Sequence, residues 1–207
     1  MPFGNKNDQN KSAYTWTFPN NFCGGFAVHA VLKDKFPNLG KTPLDIYREI
    51  QAAQQIDHET SPNSANMLLG TLQSGQGTAM SLPSSMCNVL ARYELTVFVG
   101  YTATFRGSQF PPGMFEEEVK KIDTLGSSLP ILKGEYDSLP LLEAGIGTYS
   151  YHIVLANGGT HWVAIKKMPG QQYELYNPGG GKCTPHNAFE DALKAISGML
   201  ELMISIP

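Results

Sequence analysis

The apolar residues of this 207-residue chain change their spacing near residue 95, and this change restricts the possible folds more than any other feature. Up to residue 94, apolar side chains recur at the spacing of amphipathic helices, as in the segment Cys23–Lys35. From Leu95 onward, short segments rich in β-branched and aromatic residues alternate with turn residues, which is typical of strands. The order predicts an α+β fold in which a helical lobe, residues 1–94, packs against an antiparallel sheet within residues 95–207.

The individual elements follow from the same patterns and from the positions of proline and glycine. Thr42, Pro43 and Asp45 have the spacing of a capping box with a proline in the first helical turn. We expect helices over Cys23–Lys35, Thr42–Gln55, Ser64–Leu72, Pro83–Tyr93 and Met114–Leu125, and a closing helix from Thr184 to about Leu200. We expect strands over Leu95–Tyr101, Tyr149–Ala156, His161–Lys167 and Gln172–Tyr176, with Asn157-Gly158-Gly159 as a hairpin turn.

Length and charge exclude several classes of protein. A chain of 207 residues fits a single domain. Its 15 Lys and Arg against 18 Asp and Glu give a net charge of −3 without a block of like charge, which argues against a nucleic-acid partner or an anionic membrane surface. The longest nearly uninterrupted apolar stretch, Tyr149–Ala156, is far shorter than the roughly 20 residues of a spanning helix.

Cysteine content and the N-terminal segment bear on location. Cys23, Cys87 and Cys183 are too few, and odd in number, for a disulfide framework, so at least one thiol stays free. The polar segment Met1–Ser12 lacks the apolar core of a secretory signal. We therefore expect a cytoplasmic protein, or one exported by a route that needs no signal peptide. The sequence does not predict an oligomeric state.

The residues that most strongly suggest a catalytic site are Cys23, His161 and Asn177. A hairpin that folds back about Pro169 would place His161 opposite Asn177 on one face of the sheet, with Cα atoms about 4.5–5.5 Å apart. At that separation an amide side chain can hold an imidazole in one tautomer. This is the role of the third member in a nucleophile, base and orienter set.

Cys23 stands where the first helix begins. Unpaired N–H groups and the positive end of the helix dipole favour the thiolate there, which predicts a lowered thiol pKa. Gly24 and Gly25 would leave backbone N–H groups uncovered, so that a substrate carbonyl could reach an oxyanion donor in the Cys23 N–H. Asn20 or Asn21 could supply a second donor.

Three short motifs resemble the papain-like cysteine peptidase superfamily, in particular bacterial branches such as the leader-cleaving peptidases of peptide exporters and secreted effector proteases. They are Asn20–Leu32 (NNFCGGFAVHAVL), His161–Ile165 (HWVAI) and Tyr176–Pro178 (YNP). In that superfamily the nucleophile opens a helix, the histidine starts a strand, and an Asn or Asp before a proline orients the histidine.

This resemblance implies a papain-like fold and a Cys-His-Asn triad. Cys23 would be the nucleophile, His161 the general base and acid, and Asn177 the orienter. The resemblance also implies a peptide or protein substrate and no cofactor or metal. Its effector branch implies a toxin-like role against a protein of a host or competitor.

The resemblance has one departure. Papain-like peptidases usually carry a glutamine a few residues before the nucleophile as an oxyanion donor, and this chain has Thr17 there. The indole N–H of Trp16 is another candidate donor, besides Asn20 and Asn21. Related folds carry out acyl transfer, glutamine deamidation and transglutamination with the same triad, so these reactions remain alternatives, as does a catalytically inactive peptide-binding domain.

Other histidines and cysteines have simpler interpretations. His152 is the rival base, but no Asn or Asp stands at a partnered position like that of Asn177. His29 falls on the side of the first helix away from Cys23, where packing explains it. Cys87 lies in the middle of a predicted helix and is expected in the core.

The remaining motifs give weaker evidence for a functional site. Cys183 lies in a glycine-rich loop, and with His186 it lacks a second pair of ligands for zinc. The run Gly179–Lys182 lacks the spacing and the Ser or Thr of a phosphate-binding loop. Trp162 points to the sheet face opposite His161, where core packing is expected; its alternative role is beside the substrate, shielding the His161–Asn177 pair from water.

Overall fold

The computed structural model describes Phe3 and residues 22–60, 81–102, 114–136, 149–156, 161–196 and 202–207. They form the helices α1 (Cys23–Lys35), α2 (Pro43–Thr60), α3 (Pro83–Arg92), α4 (Met114–Gly126) and α5 (Phe189–Lys194). The strands are β1 (Val97–Thr102), β2 (Ile131–Tyr136), β3 (Tyr151–Ala156), β4 (His161–Lys167), β5 (Tyr173–Asn177), β6 (Lys182–His186) and β7 (Leu202–Ile206). The predicted α+β class, with helices first and a sheet after them, is confirmed.

The start of α2 shows how local sequence sets an element. Thr42 Oγ1 accepts the Asp45 N–H at 3.2 Å, and Asp45 Oδ2 in turn accepts the Thr42 N–H at 2.9 Å. This reciprocal pairing satisfies backbone donors that the first helical turn leaves open. The predicted capping box is confirmed.

The strands form one mixed sheet in the order β2-β1-β7-β3-β4-β5-β6. The expectation of a purely antiparallel sheet is wrong, because β1 and β2 pair in parallel. The chain between them includes α4, and a parallel pair requires such a crossover rather than a hairpin. β3 and β4 pair antiparallel as expected, although the predicted turn at Asn157-Gly158-Gly159 lies outside the described residues.

Two apolar clusters cover the two faces of the sheet. The larger contains the buried residues of α1 together with side chains from α2, α3 and the sheet. The smaller lies under α5 and includes Val163, Phe189 and Met203. Helix α1 is buried from Cys23 to Leu32, so it lies inside the molecule rather than on its surface.

The C-terminal quarter differs from the prediction. Residues expected to start the closing helix at Thr184 form β6, and the helix itself, α5, begins only at Phe189. Pro185 fits this assignment because β6 is an edge strand, where a residue without an N–H is tolerated. β7 was not predicted, and it lies between β1 and β3 with all five residues buried.

The predicted helix Ser64–Leu72 lies outside the described residues. None of the helices in the described ranges combines the length and the apolarity needed to cross a bilayer.

Candidate functional site

The first turn of α1 is fixed by close packing at its two glycines. A Cβ at Gly24 would lie 2.3 Å from both Cβ and Oγ of Ser81, and a Cβ at Gly25 would lie 2.5 Å from Cβ of Tyr47. Both distances are far below van der Waals contact. The glycines therefore let α1 approach α2 and the segment before α3, whereas the sequence suggested that they leave the backbone open to a substrate. That the N–H groups of Gly24 and Gly25 are open to a substrate stays a prediction.

The Cys23 sulfur lies between the start of α1 and the start of β4. The backbone N–H groups of Trp162, Gly24 and Cys23 itself are close enough to act on its pKa, which they lower. Trp162 directly follows His161, so the predicted nucleophile and the predicted base belong to adjoining pieces of backbone. The β4–β5 ladder begins only at the pair Ala164–Tyr176, so these first residues of β4 lie beyond it.

Burial dominates the electrostatics of the Cys23 thiol. Only 3% of the residue is exposed, and this burial raises its pKa above the ordinary value, although the three N–H groups act in the opposite direction. The lowered pKa expected from the helix N-terminus is therefore wrong, because removing a thiolate from water costs more than the N–H groups recover. Burial therefore favours the protonated thiol.

His161 and Asn177 are in direct contact. His161 Nε2–H donates to Asn177 Oδ1 at 2.9 Å, and the same oxygen accepts the Gly179 N–H, also at 2.9 Å. Because the backbone N–H can only donate, the atom between the two groups is the amide oxygen. The ring nitrogen facing that oxygen must then carry the proton, which leaves Nδ1 of neutral His161 unprotonated.

The turn of the β4–β5 hairpin is centred one residue later than predicted. The β4–β5 ladder pairs Lys167 with Tyr173, which centres the turn on Gly170 rather than on Pro169. Gly170 adopts φ 79°, a conformation that favours glycine. His161 therefore lies diagonal to Asn177 rather than directly opposite. The two side chains stay on one face because the shift along the partner strand is two residues.

The environment of His161 favours its neutral form. Burial lowers the pKa of His161, and the hydrogen bond to Asn177 raises it in part. Burial raises the pKa of Cys23 as well, so that both groups favour their neutral forms. A neutral imidazole within reach of a neutral thiol can in general act as a base that removes the thiol proton as the sulfur attacks.

The candidate oxyanion and substrate residues have different outcomes. Asn20 and Asn21 lie outside the described residues, as do Trp16 and Thr17. The Trp162 side chain is fully buried, and its indole N–H donates to the Ser81 carbonyl at 3.0 Å. This position agrees with the predicted core role of the side chain and does not agree with a substrate contact. The backbone of Trp162, rather than its side chain, approaches the Cys23 sulfur.

The rival histidines are placed elsewhere. His152 is completely buried and its Nδ1 pairs with Ser205 Oγ at 3.0 Å, on the sheet face that α5 covers. Burial lowers its pKa to about 3. His29 is buried and its Nε2–H donates to the Lys41 carbonyl at 3.0 Å, as expected of a packing residue.

The other two cysteines lie in structural positions. Cys87 is buried in α3, as predicted. Cys183 lies in β6 opposite Tyr176 rather than in a loop, and its S–H donates to the Phe3 carbonyl. Within the described residues, no group of three His, Cys, Asp or Glu side chains could hold a metal ion.

Two residues near the site were missed by sequence reasoning. Ser81 joins both halves of the site, since its side chain contacts Gly24 and its carbonyl accepts the Trp162 indole. No local pattern marks it. Gly179 is recognisable from its place two residues after Asn177, in a glycine run that lacks the spacing of a phosphate-binding loop.

The described geometry thus contains a thiol at a helix start close to the Trp162 backbone, and an imidazole, His161, that is hydrogen-bonded to the Asn177 amide. No protein-family model matches the chain, and no curated protein matches it significantly.

Proposed function

We propose that this protein is a cysteine-dependent amide hydrolase that cleaves a peptide or protein substrate, with a papain-like arrangement of Cys23, His161 and Asn177. The observation that carries the proposal is the 2.9 Å hydrogen bond from His161 Nε2–H to Asn177 Oδ1, because it leaves Nδ1 as the base. The approach of the Trp162 N–H to the Cys23 sulfur supports placing the thiol beside that base.

The reaction proceeds through a thioester. As the Cys23 sulfur attacks the substrate carbonyl carbon, its proton passes to His161 Nδ1, and the Cys23 N–H stabilises the oxyanion. The tetrahedral intermediate collapses with cleavage of the C–N bond, and His161 protonates the departing amine. Water then attacks the thioester with His161 as base, which releases the carboxylic acid and restores the thiol. Replacing water with an amine at this last step gives acyl transfer.

A second candidate function is a peptide-binding domain of the same fold without turnover. The observation that favours it is the burial of Cys23, which raises the thiol pKa and restricts access to the sulfur. This function predicts peptide binding that survives the loss of the thiol.

The test compares peptide cleavage by wild-type protein and by variants at Cys23, Cys183 and Asn177. We expect new peptide termini when a proteome-derived peptide library is incubated with wild-type protein or with Cys183→Ser, and none with Cys23→Ala. Asn177→Ala should lower kcat on the order of 100-fold, because it frees the imidazole to leave its productive orientation.

The outcomes separate the candidates. Cleavage by Cys23→Ala would exclude the thiol mechanism. Peptide binding by both wild type and Cys23→Ala, without cleavage by either, would favour the binding domain. Circular dichroism should show that Cys23→Ala folds like the wild type, since the change removes only one sulfur atom.

A further inference from the structure

Gly179 is the first residue after Pro178 in the turn that follows β5, and its backbone contacts the proposed triad. Its N–H donates to Asn177 Oδ1 at 2.9 Å, and that oxygen also accepts His161 Nε2–H. The oxygen therefore has two donors, one from the imidazole and one from the main chain.

The second donor decides which way the amide of Asn177 faces. An asparagine side chain can turn either its oxygen or its NH2 group toward a neighbour. With the NH2 group in this position, two donors would face each other at the Gly179 N–H. The oxygen is thus held toward His161, and only the Nε2–H tautomer of the imidazole can pair with it.

The absence of a Cβ at Gly179 also affects its contact with Asn177 and His161. A Cβ at this position would lie 3.2 Å from Asn177 Oδ1 and 3.6 Å from both Cε1 and Nε2 of His161. The first distance is tighter than ordinary contact, so a methyl group would press on the oxygen that both donors share. Glycine lets the turn close over the edge of the imidazole.

We infer that Gly179 is a positioning residue that sets the tautomer of His161 through Asn177. Its effect on the reaction rests on the proposed function, whereas its effect on the imidazole does not. The structure supplies a matched control in the next residue, since a Cβ at Gly180 would meet only the Lys182 side chain, at 3.7 Å and beyond.

The experiment measures the 15N chemical shifts of the His161 ring in wild-type protein, Gly179→Ala and Gly180→Ala. We expect the Nε2–H tautomer in the wild type and in Gly180→Ala, and a severalfold larger share of the Nδ1–H tautomer in Gly179→Ala. In a cleavage assay, Gly179→Ala should lower kcat on the order of tenfold with little change in KM, because the imidazole is displaced rather than the substrate site.

The results separate this inference from the proposed function. Ring shifts that are the same in Gly179→Ala and Gly180→Ala would overturn the inference, even if wild-type protein cleaves peptides. A tautomer change in Gly179→Ala alone would support it, even if no variant cleaves.

A second measurement does not depend on the folding of Gly179→Ala. The Gly179 amide proton should exchange with solvent about tenfold faster in Asn177→Ala than in the wild type, because its acceptor is gone. Equal exchange rates in the two proteins would overturn the inference.

Discussion

At the scale of single residues, His161 is the group whose titration should control the reaction. Its imidazole must be neutral to take the thiol proton, so kcat/KM should rise with pH as His161 loses its own proton. Burial lowers the pKa of His161, which keeps the base neutral at pH values below its ordinary 6.5. The acidic limb of the pH profile should therefore lie below pH 6.5.

Asn177 supplies the matched comparison for this prediction. Its hydrogen bond raises the pKa of His161, so in Asn177→Ala the acidic limb should move to still lower pH while the maximum rate falls. Measuring kcat/KM from pH 4 to pH 8 for both proteins checks the direction. A limb that moves to higher pH in the variant would contradict the assignment of His161 as the base.

The position of Cys23 could be predicted from the sequence, but its pKa could not. Its position at a helix start was predictable from the glycines and the apolar spacing that follow it. Its raised pKa was not, because the burial that causes it depends on distant parts of the chain. Trp162, for example, approaches the sulfur from a strand that begins more than a hundred positions later in the sequence.

At the scale of elements, the contact between α1 and the segment before α3 determines where the thiol stands. Alanine is intrinsically better than glycine inside a helix by about 1 kcal/mol. At position 24, however, the added methyl group would overlap Ser81 Cβ and Oγ at 2.3 Å, and overpacking of this kind costs about 1–3 kcal/mol. We expect Gly24→Ala to lower the free energy of unfolding by about 2 kcal/mol, measured by urea denaturation.

Ser81 and Gly40 provide the controls. Ser81→Gly removes both overlapping atoms but keeps the carbonyl that accepts the Trp162 indole, so it should recover more than about 1 kcal/mol in the Gly24→Ala background. Gly40→Ala should change stability by less than about 0.5 kcal/mol, because nothing lies within 4 Å of its added Cβ. Additive effects of Gly24→Ala and Ser81→Gly would refute the steric explanation.

For the hairpin of β4 and β5, the sequence pattern predicts the strands but not the centre of the turn. The two strands and their shared face were predictable, because side chains alternate with a period of two. The turn centre was not, since both Pro169 and Gly170 are plausible turn residues and only the pairing of Lys167 with Tyr173 selects between them. β7 was missed because its residues are all buried, and a short apolar run without alternation has no periodic signature of a strand.

At the scale of the whole molecule, the two apolar clusters lie on opposite faces of the sheet. Cys23 belongs to the cluster that contains α1, whereas the cluster under α5 adjoins a buried histidine, His152. The described part of the chain provides no hydrogen-bond partner for Nε2 of His152. Phe189 lies against the ring at 5.0 Å between centroids, and the charge of Lys167 also disfavours a second cation there.

This buried histidine should make the stability of the fold depend on pH. Burial lowers the pKa of His152 to about 3, whereas in the unfolded chain it titrates near 6.5. The unfolded state therefore binds a proton that the folded state does not between these values. Stability is unaffected above pH 6.5 and falls on acidification at up to about 1.4 kcal/mol per pH unit from this group, until the folded pKa is reached.

His152→Gln isolates this contribution from those of the other histidines. His29 and His161 are present in both proteins, so their contributions cancel in the difference between wild type and variant. At pH 8 that difference gives the cost of the altered packing alone. Between pH 6.5 and pH 4.5 the advantage of the wild type should shrink by about 2–3 kcal/mol, measured by urea denaturation at each pH. Parallel curves over this range would mean that His152 becomes protonated within the folded protein, and that water reaches the cluster under α5.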